Sequence, residues 1–172
     1  MAREKLLPLL YAFVVWFALI GLLHLPFLKD HVMNAFVHFT SHAAYWFGRL
    51  LFIPVELTEV PILSVGGYRM RVVMECTAYN YYLFALVLVF FSRWPMKLKW
   101  KNFGIFLLII FVFNNLRFII MGYVGRYQPD LFDIIHDTLW NILFGFIVFV
   151  IWVWFDILAQ KGKEAKAVSQ ET

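Results

Sequence analysis

The chain reads as a series of apolar runs separated by short polar breaks. Leu6 to Phe27 is almost entirely apolar and reaches the roughly 20 residues a helix needs to cross a bilayer. No Ala-x-Ala cleavage site closes the run, so it predicts a retained helix and not a removed leader. Lys29 to Phe52 has another pattern. Polar residues recur at His31, Asn34, His38, Ser41 or His42, Tyr45 and Arg49, in steps of three and four that place them on one helix face. Val32, Phe36, Phe39, Ala43, Trp46, Phe47 and Leu50 make the other face. An amphipathic helix of this kind lies in a membrane interface or packs over a site. At about 36 Å it is also long enough to cross.

Pro54 ends that helix. Val60–Val65 and Tyr68–Glu75 are strand-like and flank Gly66-Gly67, a pair suited to a tight turn, so residues Thr58 to Glu75 predict a β-hairpin. In its second arm Tyr68, Met70, Val72 and Met74 alternate with Arg69, Arg71, Val73 and Glu75. Arginines and an open strand edge are unsuited to hydrocarbon, which places the hairpin outside the membrane or against other protein. Three apolar runs follow: Thr77 to Phe91, Phe103 to Val124, and a helix from Asp130 to about Leu158. Asp130 suits its N-cap, and Asp133 falls in its first turn. Arg93 to Lys101 is basic and broken by Pro95, and residues 161–172 are charged and small, as expected of a disordered tail.

Composition turns these runs into a class. Hydrophobic residues make up 63% of the chain and charged residues 15%, against about 45–50% apolar in a soluble domain. The expectation is an all-α membrane protein, one domain over residues 1–160. It consists of about four transmembrane helices, with the amphipathic helix and the hairpin on the non-cytoplasmic side. The net charge of +4 is not a nucleic-acid signal, because the basic residues sit between and beyond the apolar runs, where they set orientation. By that rule the Arg93–Lys101 loop and the tail with Lys161, Lys163 and Lys166 face the cytoplasm, as do Arg3 and Lys5. Cys76, Arg117 and His136 then fall together toward the opposite face.

Those three residues carry the candidate chemistry. Cys76 is the only cysteine, so it forms no intrachain disulfide, and a lone cysteine in a membrane protein is more often an inert small hydrophobe than a nucleophile. Its position argues otherwise. It opens a helix, where unpaired amides and the dipole favour a thiolate. His136 is expected near the same membrane edge, able to take the thiol proton and give it to a leaving amine. Asp133, three residues earlier, is placed to orient the ring. Arg117 lies deep in an apolar helix, an expensive position without a partner. Asn114 shares its face. A guanidinium beside a thiol stabilises both the thiolate and the oxyanion formed when it attacks a carbonyl.

Cys76-Thr77-Ala78 opening a helix after a hairpin, Asn114-x-x-Arg117 late in a span, and His136 opening the last helix together resemble the exosortase/archaeosortase family. The resemblance covers roughly Phe39 to Trp154, and the short length is similar to the small bacterial exosortases. Many members carry glycine where this chain has Ala78. The resemblance implies a membrane-embedded cysteine transpeptidase with Cys76, Arg117 and His136 as catalytic residues and Asn114 and Asp133 in support. Thr77 and Tyr79, beside the nucleophile, are expected to meet substrate, and no cofactor or metal is expected. The implied partners are exported proteins whose C-terminal sorting signal has a hydrophobic helix and a basic tail. They would be cleaved through a thioester and passed to a lipid or glycan acceptor, or to water in a simple protease. The implied location is a bacterial inner membrane, with the site facing outward.

Two other readings compete. His24, His31, His38 and His42 are spaced by seven, seven and four residues, and histidine is a common ligand for metal or haem. Pro26 interrupts the path, and no carboxylate or cysteine joins them at ligand spacing. A non-catalytic membrane subunit packing through its aromatic faces is the other reading, and it leaves Arg117 without a stated partner. There is no phosphate-binding loop, no His-Glu-x-x-His and no Gly-x-Ser-x-Gly.

Overall fold

Two long apolar helices form the axis of the molecule. In a computed structural model that describes residues 2–28 and 32–168, the helical order is α1 (Ala2–Leu23), α2 (Pro26–Leu28), α3 (Asn34–Leu50), α4 (Tyr79–Phe91), α5 (Met96–Tyr127) and α6 (Trp140–Val168). A 3-10 turn at Pro129–Leu131 and a π turn at Ile134–Leu139 lead into α6. Among the described residues, Met96–Tyr127 and Pro129–Gly162 are long and apolar enough to cross a membrane. Leu9–Leu23 and Tyr79–Phe91 are shorter apolar helices. α4 is about 20 Å long, less than the roughly 30 Å of a hydrocarbon core.

α4 lies against α1, α5 and α6. Their shared core holds Phe84, Ala85, Leu88, Phe106, Ile110, Met121, Trp140, Phe144 and Val148. The outward faces are apolar too, with Phe90, Trp100, Ile142 and Phe146 exposed. A helix apolar on all sides suits lipid on the outside and protein within.

The two ends of this bundle differ. At one end the basic loop meets the late part of α6: Trp94 Nε1 donates to Asp156 Oδ1 at 3.1 Å and Trp152 Nε1 to Ser92 Oγ at 2.8 Å. At the other end a three-stranded antiparallel sheet, β1 (Val55–Glu59), β2 (Ile62–Val65) and β3 (Tyr68–Arg71), stacks on α5. Its second core joins Ala44, Val55, Leu63, Val65, Val72, Cys76 and Phe118. The approach is close: a Cβ at Gly122 would lie 2.4 Å from Val65 Cβ, and one at Gly48 2.3 Å from Val55 Cγ2. Larger residues there would push the sheet off α5 and α3.

The sheet corrects the hairpin expected from the sequence. Gly66 and Gly67 do make the turn, with φ of 58° and 88°. However, the first arm has an additional partner: β1 pairs with β2 from Val55↔Val65 to Glu59↔Ile62, with an irregularity between Leu57 and Glu59. Directly after Pro54 and with no glycine turn to announce it, β1 gives little signal. The second arm ends at Arg71: the Val72 amide still bonds the Pro61 carbonyl in register, but proline has no N–H to return the bond and the ladder stops there. Met74–Thr77 then winds as 3-10 helix.

Helix ends shift as well. α3 stops at Leu50, and Phe52, with φ 58°, turns the chain before Pro54 acts. On its polar stripe Asn34, His38 and His42 are exposed, while Ser41 is buried and bonds the Val37 carbonyl. His31, Lys29 and Asp30 lie outside the described residues. The last helix opens on the Pro129–Leu131 turn, so Asp130 does not cap it. That helix continues to Val168, beyond the Lys161 at which a disordered tail was expected. Residues 161–168 are rich in Lys, Ala and Glu, which are strong helix formers once a helix precedes them.

Candidate active site

Cys76 is set by a tight local turn. Its amide bonds the Val73 carbonyl and the Thr77 hydroxyl donates to the Met74 carbonyl. Ala78 then takes the left-handed conformation, φ 57° and ψ 15°, and its carbonyl receives the amides of Tyr81 and Tyr82 to start α4. Cys76 thus stands just before the helix. For a residue with a Cβ the left-handed conformation costs about 1–2 kcal/mol, a penalty that glycine escapes. From α5, Asn114 Nδ2 donates to the Cys76 carbonyl at 3.0 Å and fixes the turn to the long helix.

Arg117 is three residues beyond Asn114 on the same helix and is only 2% exposed. Its Nη2 lies 2.9 Å from His136 Nε2 and 3.4 Å from the His136 carbonyl. Cys76 Sγ lies 3.3 Å from the same Nε2. His136 Nδ1 meets Asp137 Oδ1 at 2.7 Å, and the Phe132 ring stacks nearly parallel on the imidazole at 5.6 Å. Arginine donates only, and a carboxylate accepts only. The neutral ring therefore carries its proton on Nδ1, toward Asp137, and offers the Nε2 lone pair to both Cys76 and Arg117.

His136 reaches this position through the π turn. Single π turns inside helices commonly occur at functional sites. Two carbonyls of this turn also meet side chains. That of His136 faces Arg117 Nη2 and that of Asp137 accepts from Asn141 Nδ2 at 2.6 Å.

The three residues line a cavity of about 240 Å³, closed on one side by Tyr68 to Arg71 of β3 and floored by Phe118, Met121 and Phe132. Arg69 and Arg71 are exposed on the strand. The second terminal nitrogen of Arg117, Nη1, is buried and has no partner among the described residues. A fixed cation with a free donor beside a thiol and an imidazole suits stabilisation of a developing negative charge.

Cys76, Arg117 and His136 are therefore brought together, and Asn114 supports them through the Cys76 carbonyl. Asp133 does not orient the ring: it is exposed, and the ring is met by Asp137. The expectation assumed α-helical phase, and a π turn breaks the three-residue stacking. Thr77 and Tyr79 do not line the cavity. Both are buried, and Thr77 borders a separate small cavity of about 20 Å³ with Asn114 and Asn115. The cavity walls that the sequence did not announce are Tyr68–Arg71 and Phe132. Among the described residues no three His, Cys, Asp or Glu side chains converge as a metal cage requires. His24 bonds the Ile20 carbonyl, and His38 and His42 are exposed.

Residues 6–154 match the family model described as Transmembrane exosortase (Exosortase_EpsH). Neither the curated proteins nor the solved structures contain a match to the chain.

Proposed function

This chain belongs to the transmembrane exosortase family, and from that premise we propose that it is a membrane-embedded cysteine transpeptidase acting on the C-terminal sorting signal of exported proteins. The observation that carries the proposal is the convergence of Cys76 Sγ and Arg117 Nη2 on His136 Nε2 at the edge of a cavity.

The geometry supports the following sequence. The thiol proton moves to Nε2, and the thiolate attacks a peptide carbonyl carbon in the cavity, forming the S–C bond. A protonated Nε2 no longer accepts from Nη2. The guanidinium is thereby released toward the new oxyanion, and Nη1, unpartnered among the described residues, can donate as well. The C–N bond then breaks as His136 returns the proton to the leaving amine, leaving a thioester. An acceptor amine or hydroxyl attacks the thioester, gives its proton to Nε2 and displaces the thiolate, which is reprotonated. Water in the same role would release a free acid.

The placement of the site suits a signal that is itself a membrane helix. Arg117 lies 21 residues beyond Met96, roughly 30 Å along α5, which is about one hydrocarbon thickness. The basic Arg93–Lys101 end is cytoplasmic by the charge rule, so the reaction takes place at the outer boundary of a bacterial inner membrane. In this arrangement α1, α5 and α6 cross, and α4, shorter than the hydrocarbon core, spans it only together with the segments that flank it. The substrate's hydrophobic helix lies beside the bundle and its basic tail remains inside.

The test is a comparison of membrane proteins from cells carrying the native chain or Cys76→Ala. The proposal expects exported proteins that keep a C-terminal hydrophobic helix and basic tail only in the variant. It also expects hydroxylamine to capture the shortened native product as a hydroxamate. Identical C-terminal processing in both strains would overturn it.

A further inference from the structure

We propose that Asp137 is a positioning residue for His136, held in register by Asn141 and Tyr81. The inference rests on reading His136 as the acid–base group of the site.

Asp137 Oδ1 is 2.7 Å from His136 Nδ1, yet the Asp137 side chain is 73% exposed. An exposed ion pair contributes little to stability, so the role of this carboxylate is orientation. Two features beyond the contact itself constrain it. The backbone of Asp137 lies in the π turn, and its carbonyl is tied to Asn141 Nδ2. Asn141 is in turn tied to α4: Tyr81 Oη lies 2.9 Å from Asn141 Oδ1 and 3.1 Å from the Asn141 carbonyl, its one proton shared between them. The Tyr81 ring stacks on Phe144 at 4.8 Å, which anchors the hydroxyl to the packed core. The π turn is thus clamped from the helix that begins next to Cys76.

The chemical consequence is at the far nitrogen. With a carboxylate at Nδ1, the neutral imidazole is held as the Nδ1–H tautomer, and Nε2 remains an acceptor for the Cys76 proton. Without it the Nε2–H tautomer becomes available, which would set an N–H against the Arg117 Nη2 donor and remove the base from the thiol. The charged and titratable groups facing His136 are Cys76 from the 3-10 turn, Arg117 from α5 and Asp137 from its own turn. Arg69 and Arg71 lie across the cavity on β3.

The experiment uses the full chain in lipid with nitrogen-15 histidine, at a pH where the ring is neutral. The His136 resonances are assigned by their loss in His136→Gln. The native protein is expected to show the Nδ1–H pattern. Asp137→Ala should give a mixture of tautomers and slow alkylation of Cys76 by roughly tenfold or more. Asp137→Asn, which keeps an acceptor, should fall between them. Tyr81→Phe, which keeps the ring stack and loses only the hydroxyl, should move the tautomer in the same direction by less. It serves as the second variant if Asp137→Ala does not fold. A native tautomer pattern and native alkylation rate in Asp137→Ala, or in Tyr81→Phe where that variant stands in, would overturn the proposal. Neither readout uses a protein substrate, so a chain that fails to process sorting signals but shows the tautomer shift would refute the proposed function alone.

Discussion

The two ends of the bundle are built from the same helices and treat their polar groups in opposite ways. At the basic end Trp94 meets Asp156, Trp152 meets Ser92, and the Ser92 hydroxyl also returns to the Leu88 carbonyl. The two tryptophan bonds join the end of α4 and its loop to α6, beside apolar contacts such as Phe106 meeting Phe155 edge-on at 5.6 Å. At the sheet end some buried polar atoms go without partners. Asn80 Oδ1, Asn114 Oδ1, Asn115 Oδ1 and Arg117 Nη1 are the buried side-chain atoms without a partner among the described residues. None lies near the basic loop. Unpaired groups of this kind lower stability, and of the four residues only Arg117 lines the cavity with Cys76 and His136. Burial of a polar residue is a weak guide by itself; a missing partner at a cavity wall is the stronger one.

The sharpest way to break this contrast is to remove core at the basic end. Phe106 is fully buried, and Phe106→Ala should cost about 3–5 kcal/mol in unfolding measured in detergent. The fraction that remains folded should keep its reactivity at Cys76. A folded but inert fraction would mean that the two ends are not separable.

The reverse change is Arg117→Met. Losing an oxyanion donor should lower processing by about 100- to 1,000-fold. Replacing a buried cation by an apolar side chain of similar size is often neutral or stabilising, so the unfolding midpoint should not fall. A large loss of stability would show that Arg117 is structural and that its free nitrogen misleads.

Smaller effects sharpen the picture. Ala78→Gly relieves a left-handed alanine worth about 1–2 kcal/mol and gives up a buried methyl worth about 0.8 kcal/mol. The expected net gain is under about 1 kcal/mol, with processing retained. Trp152→Phe removes the bond to Ser92 and should cost about 0.5–1.5 kcal/mol without altering the site. Both are read by thermal unfolding alongside Cys76 alkylation.

Much of the site end was legible because its residues are outliers against an apolar background. Arg117 interrupts a helix of Phe, Val, Leu and Ile, Cys76 is alone of its kind, and His136 opens the last apolar run. Outliers near the same predicted membrane edge have few places to go, so their meeting follows from topology. Asp137 was illegible for a specific reason. Periodic reading assumes a uniform helix, which selects Asp133, while the π turn changes the phase inside six residues, Ile134–Leu139. Strand β1 was missed because it depends on β2 for its partner and on Gly48 for space against α3, both of which are tertiary facts. Tyr68–Arg71 were recognised as a strand, but which face meets Cys76 depends on how the sheet sits on Gly122. The extension of α6 to Val168 follows local propensity, which the charge of the segment masked.

The most direct test of the central claim, one coupled thiol site at the membrane face opposite the basic loop, is side-resolved alkylation of Cys76. A membrane-impermeant reagent would be applied from each side to the native chain, Arg117→Ala, His136→Gln and the double variant. The account predicts labelling from the outer side only, slower in each single variant, with the double variant no slower than the slower single one, as expected of residues acting as a unit. Labelling from the basic side, or rates indifferent to both substitutions, would contradict it.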